Sequence, residues 1–234
     1  MIRYSSAKLV NPNYLADNRR IAGIAKESSM LRKALDEGYK PDSGSLLVET
    51  RAISARTNQN YDTFPSKELK DAYQTFKGKP VFVNHTNDDP GRTRGRIATS
   101  QYLSNGDDKY ISLLIEQDAK AFPKMARSIA SGELDSVSMG TDVQFTRCSA
   151  CDNIAYEIED FCNHVKFRKG SKVNGINGKR VLVSEFCHKL SFFEISFVFD
   201  PADTTAVVSR LYLPEGMKQS RTSSVKPFYV RDSR

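Results

Sequence analysis

All four cysteines of this chain and two of its three histidines fall within 41 residues. Cys148 and Cys151 form a C-x-x-C pair. Cys162-Asn163-His164 follows after ten residues, and Cys187-His188 after another 22. A C-x-x-C knuckle offers two thiolates to one tetrahedral ion, and a second pair brought back by a returning segment completes four-coordination. The rest of the fold must therefore allow these positions to meet. The spacing predicts a structural zinc ion held by Cys148, Cys151, Cys162 and His164, with Cys187 and His188 as further candidates. The competing reading is a group of reduced thiols without an ion. Nothing favours a disulfide, because no feature points to an oxidising compartment. Thiolate-rich sets normally fill every coordination position, so the ion is expected to staple an excursion over 146–189 rather than to catalyse.

The remainder reads as one folded domain of 234 residues, long enough to bury a core without staples. With 39% hydrophobic residues, wholesale disorder is excluded. No apolar run approaches the roughly 18 residues of a membrane helix, and the start carries no apolar leader, so a soluble, intracellular protein with no membrane partner is expected. The net charge of +7 invites a nucleic-acid reading. However, residues 207–234 hold six basic and two acidic side chains, leaving only +3 elsewhere. Residues 209–234 are thus expected to form a basic, extended appendage, and nucleic acid is not the expected partner.

Along the chain, 1–45 is polar with a short helix at 28–37 closed by Gly38, and SLLVETRAIS after Gly44 has strand character. LKDAYQTFKG suits a short helix ending at Gly78. Pro80 opens PVFVNH, and two strands at 95–103 and 110–117 flank an Asn-Gly turn. Phe122, Met125, Ala126 and Ile129 make a helical stripe with Pro123 in its first turn. The strand over 134–145 alternates Val137 and Met139 against Ser136, Ser138 and Gly140. In LSFFEISFVF, Phe193, Ile195, Phe197 and Phe199 are expected on one face, with Phe192, Glu194, Ser196 and Val198 on the other. The expected fold is α+β: a β-barrel or strongly curved antiparallel sheet with a few packed helices and a Cys/His-stapled insertion.

No nucleophile elbow, P-loop, dinucleotide fingerprint or H-E-x-x-H is present. His85 is the one histidine outside the cluster; by position alone it is an ordinary strand-end residue. The order of segments is more telling. A strand ends in Asn84-His85 before a Pro–Gly loop and a hairpin. A helix ends in Ser131-Gly132-Glu133-Leu134 and leads into Ser136-Val137-Ser138-Met139-Gly140. A late strand reads Phe193-Glu194-Ile195-Ser196-Phe197-Val198, then Asp200-Pro201-Ala202.

Over residues 46–208 this succession resembles the tailed-phage prohead (head-maturation) serine proteases, which are similar in fold to the herpesvirus assemblins. The resemblance implies His85 as general base, Ser138 as nucleophile and Glu194 as the acidic partner of the histidine. Ser136 competes with Ser138, and His188, Asp200 and Asp203 compete with Glu194. Gly140 is expected to let substrate backbone approach closely. The long segment carrying the cysteines departs from the simplest family pattern. The resemblance further implies action in the host cytoplasm inside the assembling procapsid, on scaffold, on the amino-terminal region of the capsid protein and on the chain itself, including its tail. The alternatives are a zinc-stapled nucleic-acid-binding protein and a structural head protein without catalysis.

Overall fold

The computed structural model describes residues 28–214, the backbone of Lys8–Val10, and Met217. The appendage expected after 208 lies mostly outside this range. Its first part does not: residues Val208–Tyr212 form a strand, β12, with Tyr212 and Leu213 buried. The folded domain therefore continues past the expected boundary, because Leu211, Tyr212 and Leu213 are apolar enough to pack.

The chain is α+β. In order, its main elements are β1 (Lys8–Val10), α1 (Ser29–Asp36), β2 (Ser45–Ser54), β3 (Asp62–Thr63), α2 (Ser66–Ala72), β4 (Pro80–Val83), β5 (Gly95–Asn105) and β6 (Asp108–Asp118). There follow α3 (Pro123–Ser131), β7 (Ser136–Cys148), β8 (Ile154–Ala155), α4 (Asn163–Arg168), β9 (Lys172–Asn174), β10 (Arg180–Leu182), β11 (Glu185–Val198) and β12. Local chemistry explains many of these boundaries. Ser28 caps α1, its hydroxyl accepting from Leu31 N–H at 2.9 Å. Gly132, with φ of 79°, closes α3 in the left-handed conformation that glycine adopts without strain.

Ten strands form one sheet in the order β1-β12-β2-β6-β5-β4-β11-β7-β8, with β3 also alongside β11. The expectation of an antiparallel sheet is corrected in one respect: β4 and β3 run parallel to β11, and β1 runs parallel to β12. No tight turn joins those pairs, so nothing local forces them antiparallel. Curvature is strong. Ser136 at the start of β7 bridges Val207, and Val208 N–H reaches the Asp135 carbonyl at 2.7 Å, beside β2. The ladder does not close into a barrel among the described residues.

One core cluster gathers Val48, Ile97, Leu113, Val137, Ile195 and Phe197 from across the sheet under α2 and α3. On the other face α1 packs Met30, Leu31 and Ala34 on Leu47, Leu114 and Tyr212. Both faces of β6 are therefore buried.

In β11 the expected alternation holds only in part. Phe192, Ile195 and Phe197 are fully buried, whereas Phe193 and Phe199 are exposed. The cause is a bulge between Phe192 and Glu194 in the pairing with β7, which inserts Phe193 as an extra residue. Beyond Val198 the strand ends, and Phe199 has no sheet to pack on. The β7/β11 ladder runs from Ser136↔Val198 to Cys148↔Glu185. The excursion is accordingly 149–184 rather than 146–189.

Candidate catalytic site and metal centre

Strands β4, β11 and β7 are neighbours, and each supplies one part of a polar site. After β4 the chain turns through Asn84 and His85, whose φ angles are 49° and 54°. Left-handed backbone costs a non-glycine residue about 1–2 kcal/mol, so surrounding bonds must hold it. Asn84 N–H donates to the Phe197 carbonyl at 3.0 Å and His85 N–H to Ser196 Oγ at 3.1 Å.

Glu194 is almost completely buried. His85 Nδ1 lies 2.8 Å from its Oε1, and Ser196 Oγ donates to its Oε2 at 2.7 Å. The hydrogen bond with Glu194 raises the imidazole above its ordinary pKa, against partial desolvation that lowers it. The ring is 43% exposed, and its Nε2 makes no hydrogen bond among the described residues.

Ser138 stands directly opposite Ser196 in the β7/β11 register, and Gly140 opposite Glu194. Directly paired residues of antiparallel strands share a face with Cβ atoms about 4.5–5.5 Å apart. Ser138, Gly140, Glu194 and Ser196 therefore line one face, with His85 bonded over it. Ser138 is half-buried at a cleft of about 20 Å³ that is also lined by Ile53, Ser54, Asn58, Phe64 and Asp203. Its hydroxyl makes no hydrogen bond among the described residues, so contact with the His85 ring is not formed here. Such contacts are often long before substrate binds.

The other candidates have partners elsewhere or face solvent. Ser136 is buried and donates to Asp135 Oδ1 at 3.0 Å. Asp203 spends both oxygens on Ser54 and Thr205. Asp200 is exposed. His188 Nδ1 is 3.1 Å from Glu68 Oε1, and its ring stacks on Phe145.

Gly140 also makes room within the fold. A Cβ there would fall 2.6 Å from Glu194 Oε1 and 2.6 Å from the Phe193 ring, so its bareness admits the carboxylate. No family model, curated protein or solved structure matches this chain. The site must be read from its own geometry.

The second cluster lies beyond the far end of the β7/β11 ladder. Cys148 ends β7, Cys151 sits in the following turn, and Cys162 and His164 lie at the N-terminal end of α4. One donor atom from each of the four residues falls within 4.8 Å of the others. Cys151 and Cys162 Sγ are 3.4 Å apart, and Cys162 Sγ is 4.0 Å from His164 Nδ1. Ligands about 2.0–2.3 Å from a tetrahedral centre are separated by roughly 3.3–3.8 Å, so the donor set suits zinc. Burial opposes ionisation of Cys162, but N–H groups of the α4 turn and the neighbouring thiols bring its pKa below the ordinary value.

Cys187 and His188 do not join this group. Cys187 is buried in the main core, where desolvation pushes its thiol up to about 12. The excursion is anchored to the domain by Lys169, whose Nζ bridges Asp62 at 2.7 Å and Glu185.

Sequence reasoning assigned Ser196 no role. The signal was present: two residues after Glu194 on a strand, it had to share the carboxylate's face.

Proposed function

We propose that this protein is a serine endopeptidase of the head-maturation type, with Ser138 as nucleophile, His85 as general base and Glu194 as the carboxylate that orients it. The observation that carries this reading is the buried Glu194 bonded to His85 Nδ1, on the sheet face that Ser138 shares. With Nδ1–H donated to Glu194, Nε2 keeps its lone pair and can take the Ser138 proton as Oγ attacks a peptide carbonyl. The resulting imidazolium is stabilised by the carboxylate and returns its proton to the leaving amine. Water then resolves the acyl-enzyme by the same exchange. Substrates on this reading are scaffold, the capsid protein's amino-terminal region and the chain itself, inside the procapsid.

The Cys148/Cys151/Cys162/His164 group supports a structural zinc ion: these four residues would fill its tetrahedral positions and leave none for chemistry. No helix among the described residues is long and apolar enough to cross a membrane.

Co-expression of wild type, Ser138→Ala and His85→Ala with the cognate capsid or scaffold protein, followed by fragment masses, tests the assignment. Cleavage is expected from wild type alone, with both variants reduced at least ~10³-fold. Equal fragmentation by all three would remove it, and no cleavage by wild type with salt-sensitive DNA binding would favour the nucleic-acid alternative.

A further inference from the structure

We propose that Ser196 is a positioning residue of this site, fixing at once the Glu194 carboxylate and the backbone of His85. Its catalytic consequence rests on the peptidase reading; its hydrogen-bond geometry does not.

Ser196 is fully buried and has one proton to give. Its oxygen accepts the His85 N–H at 3.1 Å, so that proton goes to Glu194 Oε2 at 2.7 Å. Two consequences follow. The carboxylate is pinned at one oxygen, which leaves Oε1 aimed at Nδ1. The left-handed turn that carries the ring is tied to the same hydroxyl. Neither bond can be replaced by bulk water at a position with no exposure.

Without Ser196, Glu194 keeps a buried oxygen unpaired and is free to rotate, and His85 N–H loses its acceptor. The imidazole is then no longer held in the tautomer that leaves Nε2 free to act as a base. Ser138 stands across the ladder from Ser196, so the hydroxyl that orients the base and the one to be deprotonated occupy one cross-strand pair. A hydroxyl that merely filled space would leave the tautomer unchanged on truncation.

The test uses the full chain with Ser196→Ala and Ser196→Thr. It reads the His85 ring-nitrogen shifts by NMR and the rate at which a fluorophosphonate labels Ser138. In labelling, Oγ bonds to phosphorus, fluoride leaves, and the hydroxyl proton passes to His85. Wild type should show the Nδ1–H tautomer. Ser196→Ala should show mixed tautomers and label about 10–100-fold more slowly, and Ser196→Thr should recover both to within a few-fold.

A folded Ser196→Ala that keeps the wild-type tautomer and labels within twofold of wild type overturns the proposal. If the alanine variant does not fold, Ser196→Cys, a weaker donor, serves in its place; intermediate losses are expected, and wild-type values overturn the proposal equally. A wild-type tautomer freed by Ser196→Ala in a chain that never labels supports the positioning role and removes the peptidase reading instead.

Discussion

A carboxylate buried between two hydrogen-bond donors can serve an imidazole only if no other group takes its place, and at residue scale this site meets that condition. Glu194 has His85 on one oxygen and Ser196 on the other. Because the His85 pKa is raised, the pair's contribution to stability is complete below the ordinary imidazole value and is lost as pH rises through the raised one. On the proposed peptidase reading, catalysis would run the other way, since a general base must be neutral. The acid limb of fluorophosphonate labelling should therefore lie above ~6.5 and move down in Glu194→Gln. A limb at or below ~6.5 that ignores this substitution would sink the pairing.

Gly140→Ala should push Glu194 and Phe193 aside, cost about 1–3 kcal/mol in urea denaturation, and slow labelling. Wild-type stability and labelling would mean that the space is not needed. Ser138 lies on the face of Glu194 without a hydrogen bond to the His85 ring, and only the pairing of His85 with Glu194 was anticipated, through the resemblance that the order of their segments carries. The role of Gly140 was not, because it depends on which residue of the facing strand lies opposite.

At element scale the Cys/His excursion was the clearest sequence signal, since C-x-x-C spacing is a local property of the chain. Its limits were less clear, because how far β7 and β11 pair before they part is set by contacts between strands. The buried cluster of Cys148, Ala150, Val165, Val173 and Val183 is small, so on the proposed zinc reading metal binding would add to the folding energy of 149–184. Purified without chelator, the chain should carry about one zinc per molecule by mass spectrometry. Metal stripping, or Cys162→Ser, should accelerate amide exchange across 149–184 while β2 and β6 remain protected. A metal-free chain whose excursion exchanges as slowly as the sheet would mean that the ion is dispensable.

The bulge in β11 belongs to this scale too. Strict alternation was the natural expectation, and one inserted residue turned Phe193 outward beside Glu194.

For the whole molecule, the two ends of the continuous segment 28–214 are joined at one buried carboxylate. Glu49 of β2 accepts the Ser28 hydroxyl at the head of α1 and the Tyr212 hydroxyl of β12 at 2.7 Å. Burial raises the Tyr212 phenol well above its ordinary range, so it remains a donor at any working pH. Tyr212→Phe keeps the ring and removes one of these bonds, and should lower the unfolding free energy by about 1–3 kcal/mol, read as a lower denaturant midpoint at unchanged m. An unchanged midpoint would mean that the hydroxyl contributes nothing to joining α1, β2 and β12.

Helix caps, the Asn-Gly turn, the helical stripe of Met125, Ala126 and Ile129 and the Cys/His spacing were determined by the sequence alone, because each depends on residues a few positions apart; Phe122, expected to begin that stripe, lies just before the helix and outside the core. Only the tertiary structure decided that β4 runs parallel to β11, that Gly140 faces Glu194, and that β12 completes the sheet. Those outcomes depend on the relative placement of strands about 50 to 165 residues apart, on which neighbouring side chains give no information.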